Sequence, residues 1–205
     1  MNYPQLEFEQ AKFHMSFVLP DIGTEDRLLA RAIRGDQAAI TEIYEKYFPS
    51  IYQFVRLQVD ETGLAEDISS DVFIKFIDTV GGRNGPRQTL RGWLFRVARN
   101  EIYKHYGKIR QFPTTGLDDW LSAPSEGDLE IQFIHSVDLE RARQALRMLA
   151  PDQREVLILR FVEALSLEET AEIMGKATGA IKSLQFRAVN TLRHILGEMR
   201  PESNG

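Results

Sequence analysis

The stretch SLEETAEIMGKATGAIKSLQFRAVNTLRHIL, residues 166–196, decides how this chain is read. Ser166 stands three residues ahead of Glu169, the spacing of a capping box. The Ser166 hydroxyl takes the Glu169 amide, and the Glu169 carboxylate returns to the Ser166 amide. The helix this opens stops at Gly175, and a second runs from about Thr178 to Met199. Two helices joined through Gly175-Lys176-Ala177 have helix-turn-helix proportions. On the second, Ile181, Leu184, Ala188, Leu192, Ile195 and Met199 fall on one face. The opposite face carries Gly179, Ser183, Phe186 and Asn190, flanked by Lys182 and Arg187. A ring among Lys, Ser and Arg suits a major groove, where cations reach guanine and the ring meets a thymine methyl. A small bundle with a solvated basic face has the same spacing, so both readings stand on the pattern alone.

Working outward, nearly every periodic segment reads as helix, and none alternates cleanly enough for a strand. Residues 25–34 form a first helix stopped by Gly35, and Asp36 suits the N-cap of the next. That second helix carries Ile40, Ile43, Tyr44 and Tyr47 on one face, is interrupted at Pro49 and resumes over 51–59. A long helix over 64–80 has Leu64, Ile68, Val72 and Phe76 as its core stripe. Gly81-Gly82 stops it, and GGRNGPRQ (81–88) is a loop by its Gly and Pro content. The next strong helix covers 90–106. Residues 111–137 hold Pro113, Pro124 and scattered acids and read as a linker. Helices resume at 138–149 and from Pro151, placed as a first helical residue, to about Glu163.

The fold expected is therefore all-α: two small helical domains joined by a flexible linker, the C-terminal one containing the helix-turn-helix. The first domain spans 25–110, the linker 111–137 and the second domain 138–200, with 1–24 as an N-terminal extension.

Charge is unevenly spread. The chain has 205 residues and a formal net charge of −5, which at first sight argues against nucleic acid. Yet 89–110 holds six basic residues (Arg91, Arg96, Arg99, Lys104, Lys108, Arg110) against Glu101 alone. Residues 176–200 hold five against Glu198, while 111–140 hold seven acids and no Lys or Arg. Two basic patches about an acidic connector suggest two surfaces that meet polyanions. The absence of cysteine excludes disulfides, zinc fingers and thiol nucleophiles. Four histidines lie far apart, and no nucleophile–base pair, phosphate loop or metal spacing occurs, so neither an enzyme nor a cofactor is expected. The opening MNYPQLEFEQAKFHMSFVLP lacks the basic start and apolar run of a signal peptide. No stretch approaches the roughly 18–20 apolar residues that span a bilayer, so no membrane insertion and a cytoplasmic location are expected.

Residues 166–196, preceded by LRMLAPDQREVLILRFVEALSLEE, resemble the fourth conserved region of bacterial sigma factors. LLARAIRGDQAAITEIYEKYFPSIYQFV, LAEDISSDVFIKFI and LRGWLFRVARNEIYKHY resemble the second. The order of the blocks, with no third domain between them, is similar to that of an extracytoplasmic-function sigma factor. Lys104 stands where that family often has Asp or Asn, and Ala177 where it often has a Ser or Thr cap.

The resemblance implies a protein that docks on core RNA polymerase, recognises the −35 element of promoter DNA as duplex and melts the −10 element. It places Lys182, Ser183, Phe186 and Arg187 at the −35 duplex, and Trp93, Arg96, Arg99, Asn100 and Tyr103 at the melted −10 strand. There basic residues hold phosphates while aromatic planes stack unpaired bases, at about 1–3 kcal/mol per base. The loop at 81–88 would help form a pocket for a flipped base. Asp67, Asp71 and Phe73 would meet the polymerase β′ clamp helices, and apolar positions such as Leu157 and Ile173 the β flap. An anti-sigma factor is a further possible partner. The competing function, a helix-turn-helix repressor or activator independent of polymerase, explains the second domain but leaves the GWLFRVARN helix without a role.

Overall fold

The computed structural model describes residues 22–86, 89–109 and 139–198, and among them every regular element is helical. The residues 1–21 of the expected extension and the linker at 111–137 lie outside the described residues, as do Arg110, Met199 and Arg200. The first bundle comprises α1 (Ile22–Ile33), α2 (Gln37–Arg56), α3 (Thr62–Thr79) and α4 (Leu90–Ile109). The second comprises α5 (Leu139–Met148), α6 (Pro151–Leu157), a π-helical turn (Ile158–Val162), α7 (Leu167–Met174) and α8 (Thr178–Glu198).

Local chemistry sets the helix ends. Asp36 accepts from the amides of Ala38 at 3.0 Å and Ala39 at 3.3 Å, satisfying two otherwise orphaned donors of α2. Arg31 on α1 reaches back to the same carboxylate at 2.8 Å, which fixes the corner between the helices. α1 starts at Ile22, three residues before the expected start of the first helix.

The expected interruption at Pro49 does not occur: α2 runs unbroken with Pro49 inside it. Proline removes one intrahelical hydrogen bond and crowds the carbonyl four residues back. Here Ile43 and Tyr47 before it, and Ile51, Phe54 and Val55 after it, are all buried on one face. Packing on both sides of the defect holds the helix together, as tertiary contacts commonly override local propensity. α3 and α4 close over that face. Ile68, Val72 and Phe76 point inward from α3, and Leu94, Phe95, Ala98 and Ile102 from α4. Phe54 and Phe95 meet edge to face at 5.3 Å. Each such buried side chain contributes about 1.5–3 kcal/mol relative to leaving it in water.

In the second bundle Pro151 is the first residue of α6, where its missing amide costs nothing. Arg154 turns back to the end of α5, donating to the carbonyl oxygens of Leu146 at 2.8 Å and Arg147 at 2.5 Å. α6 then widens into the π turn, closed by the Glu163 amide on the Ile158 carbonyl at 2.9 Å. Ala164 follows at φ 52° and redirects the chain into the Ser166 cap. Both capping-box bonds are present, at 3.0 and 2.7 Å. Gly175 ends α7 at φ 66° and ψ 34°, a left-handed conformation that an L side chain resists, and thereby sets the turn into α8. On α8, Ile181, Leu184, Ala188, Leu192 and Ile195 are buried as a single stripe. The two bundles do not stand apart: α4 of the first packs against α7 of the second.

Candidate nucleic-acid interface

Two surfaces carry the residues singled out by sequence. On α8, Lys182 and Ser183 are exposed, and Phe186 and Arg187 are half-buried. Since the helix buries its other side, this face is held outward by the core stripe. Asn190 lies further along the helix, its side chain 3.5 Å from Arg193. Lys176, in the turn, bonds Asp152 at 3.1 Å and ties the start of α8 to α6.

The second surface is the basic and aromatic face of α4. Trp93 is half-buried; its ring meets Phe76 edge to face at 6.0 Å, and its Nε1 donates to the Asn84 carbonyl at 3.0 Å. That bond fastens the loop after α3 to α4. Gly85 is buried there so closely that a Cβ would come within 2.5 Å of the Thr79 carbonyl oxygen, so only glycine lets the loop fold back onto α3. Residues 87 and 88 of the loop lie outside the described residues. Asn100 is exposed.

Among the described residues, Arg91, Arg96, Arg99 and Lys104 of α4 are already engaged. Arg91 donates to the Glu163 carbonyl oxygen, and Arg96 pairs with Glu172. Arg99 Nε lies 2.7 Å from Glu155 Oε1, with its guanidinium 4.4 Å above the Tyr103 ring. The Tyr103 hydroxyl is within hydrogen-bond distance of both Asp152 (3.2 Å) and Glu155 (3.1 Å). Lys104 pairs with Glu101 of its own helix at 3.2 Å, and Lys75 holds the same buried carboxylate.

The electrostatics follow from this enclosure. Glu155 is completely buried, and desolvation pushes its carboxyl up to about 7 despite the opposing pull of Arg99. Glu163 is also pushed to about 7 by burial, with Arg91 and a hydrogen bond to Ser50 acting against it. Burial and the neighbouring Glu155 raise the Tyr103 phenol, so it remains a donor. For Glu101 burial acts upward, but the bonds from Lys75 and Lys104 outweigh it and the group stays below its usual range.

On α3, Asp67 and Asp71 are exposed, but Phe73 is not. It is 4% exposed, packed against Tyr44 at 5.0 Å and Phe48 at 5.9 Å, and belongs to the core. Leu157 and Ile173 are likewise core residues. The exposed apolar side chains that sequence reasoning missed are Ile74 and Ile77, which continue the face of Asp67 and Asp71 by helical spacing. Their exposure, at 54% and 53%, separates them from the apolar body of the helix, a distinction that hydrophobicity alone does not draw.

Residues 43–111 match Sigma-70 region 2, and residues 145–194 match Sigma-70, region 4. The ECF RNA polymerase sigma factor SigD of Mycobacterium tuberculosis is 30% identical over 175 residues, covering 82% of this chain and 82% of SigD. The chain belongs to the ECF sigma factors. As a sigma factor it directs transcription initiation through regions 2 and 4 and is not an enzyme. The ECF sigma factor BldN of Streptomyces coelicolor is 34% identical over 172 residues, covering 82% of this chain; the match spans 64% of BldN's length. Among solved structures, the sigma factor RpoE in complex with the anti-sigma factor NepR, from Bartonella quintana, superposes with a TM-score of 0.59 at 28% identity. That match covers 78% of this chain and 98% of RpoE. No described helix of this sigma factor is long and apolar enough to cross a membrane. The region 2 match falls within the first bundle from α2 onward, the region 4 match within the second, and the helix-turn-helix is α7 and α8.

Proposed function

We propose that this sigma factor reads promoter DNA with two helices and docks on core RNA polymerase, in the cytoplasm, through a third. The observation that carries the reading is α8: a capped helix-turn-helix whose second helix buries one stripe and turns Lys182 and Ser183 outward, with Phe186 and Arg187 beside them. In a major groove these supply cationic, hydroxyl and aromatic contacts to the −35 duplex. Arg96, Arg99, Asn100 and Tyr103 on α4, with Trp93 holding the preceding loop, hold and stack the unpaired −10 strand. Asp67 and Asp71, extended by Ile74 and Ile77, form the acidic and apolar strip for the polymerase β′ clamp helices. A region 4 surface meets the β flap, and a protein antagonist of the anti-sigma kind is the partner that holds the factor off polymerase. Run-off transcription with core polymerase and genomic fragments tests this: specific transcripts should appear only when both are present. Tight sequence-specific DNA binding by the isolated protein, with no effect on core polymerase, would instead make it a repressor or activator.

A further inference from the structure

We infer that the carboxylates of region 4 act as a plug on the −10 face, with Asp152, Glu155 and Glu172 occupying the places that a single DNA strand's phosphates would take on Arg96, Arg99 and Tyr103. The inference rests on α4 being the −10 surface, and it adds a competitor for that surface.

Three features of the seam point to it. First, Arg91, Arg96 and Arg99 all bond to oxygen atoms of the second bundle, and Tyr103 does the same. Arg91 meets a backbone carbonyl, while Arg96, Arg99 and Tyr103 each meet a carboxylate. Second, the match has the form of phosphate recognition. A guanidinium and a phenol converge on one carboxylate, with the guanidinium stacked on the aromatic ring, as charge-assisted bonds to an oxyanion require. Third, the seam is imperfectly satisfied. Among the described residues, Arg96 Nε and Glu163 Oε1 are the buried side-chain polar atoms that find no hydrogen-bond partner, and both lie on it. Buried polar atoms of permanent cores are almost always paired, so two orphans on one seam leave it less fully satisfied than either core. The desolvation that raises Glu155 acts in the same direction, since opening returns that carboxylate to water. A strand that brings phosphates and a base to Arg99 and Tyr103 must displace Glu155 first.

The test uses the full chain and a short fluorescein-labelled single-stranded DNA of mixed sequence, read by anisotropy. Asp152→Asn, Glu155→Gln and Glu172→Gln are combined and set against Glu45→Gln, Glu61→Gln and Asp78→Asn, which remove the same charge from exposed sites elsewhere. Relief of a plug that is closed in most molecules makes the first variant bind at least about tenfold tighter than the second. Small-angle scattering should show the first variant expanded and the second as compact as wild type. Equal affinities, or equal radii, overturn the plug. Because the buried Glu155 change could unfold the domain, Glu172→Gln alone is compared with Asp78→Asn; the Glu172 side chain is 42% exposed, and no gain there is equally adverse. Adding Arg96→Ala to the combined variant separates the two layers of reasoning. Binding that depends on Arg96 but shows no gain removes the plug and keeps the −10 assignment, whereas a gain that survives Arg96→Ala removes the −10 assignment itself.

Discussion

Replacing Glu163 by glutamine should make the protein more stable at alkaline pH while leaving it nearly unchanged in mild acid. Glu163 follows the π turn and is 5% exposed, with Oε1 lacking a partner. The groups that stabilise its charged form are Arg91 on α4 and Ser50 on α2, and they do not offset burial, so the carboxyl stands at about 7 instead of 4.5. A pKa raised by folding means that the native state holds the proton more tightly than the unfolded chain does. The corresponding stability is fully present below 4.5 and is lost as pH climbs through 7. At about 1.4 kcal/mol per pH unit, that interval amounts to roughly 3 kcal/mol. Glutamine carries no charge at any pH and keeps the shape of the protonated acid. Urea unfolding followed by far-ultraviolet circular dichroism at pH 5 and pH 8 measures the effect. Glu163→Gln should lead by less than about 1 kcal/mol at pH 5 and by up to about 3 kcal/mol at pH 8. Glu155, which is raised in the same way, contributes to both curves and cancels in the difference. Curves that stay parallel from pH 5 to pH 8 would refute the reasoning.

On promoters differing only at −35, Arg187→Ala should weaken initiation by about 1–3 kcal/mol, seen as transcript yield with reconstituted polymerase. Leu192→Ala should instead destabilise region 4 by about 2–5 kcal/mol, because it opens a cavity under the same helix. Tyr103→Ala should lower open-complex formation on duplex templates, by permanganate reactivity of unpaired thymines, and regain most activity on a template already unpaired across −10. Trp93→Phe keeps the ring against Phe76 but loses the bond to Asn84, worth about 1 kcal/mol. It should relax base preference at −10 without changing the circular dichroism spectrum.

Features governed by neighbours in sequence were legible before any coordinates. The Asp36 cap, the Ser166–Glu169 box, the Gly175 stop, Pro151 at the head of α6 and the inward stripe of α8 each depend on residues within a turn or two. Pro49 was misleading because its cost is local while the packing that outweighs it comes from α3 and α4. The pairing of the α4 cations escaped notice for a related reason. Arg99 and Glu155 lie 56 positions apart, and an acid between Arg154 and Val156-Leu-Ile-Leu159 looks like an ordinary surface charge. Phe73 and Ile74 are adjacent and both apolar, so only the rotation of α3 in the bundle decides which of them faces outward.

The engagement of Arg96 and Arg99 by carboxylates also alters what salt titrations of strand binding report. A protein that neutralises phosphates releases condensed counterions, and the logarithm of affinity falls with that of salt by about 0.7 per phosphate on a single strand. Here each arginine leaves one anion to reach another, and the abandoned Glu155 and Glu172 gather cations of their own. Ion uptake on the protein then cancels part of the ion release from DNA. The slope should be shallower than the number of arginine–phosphate contacts implies, and it should steepen when Glu155 and Glu172 are replaced by glutamine.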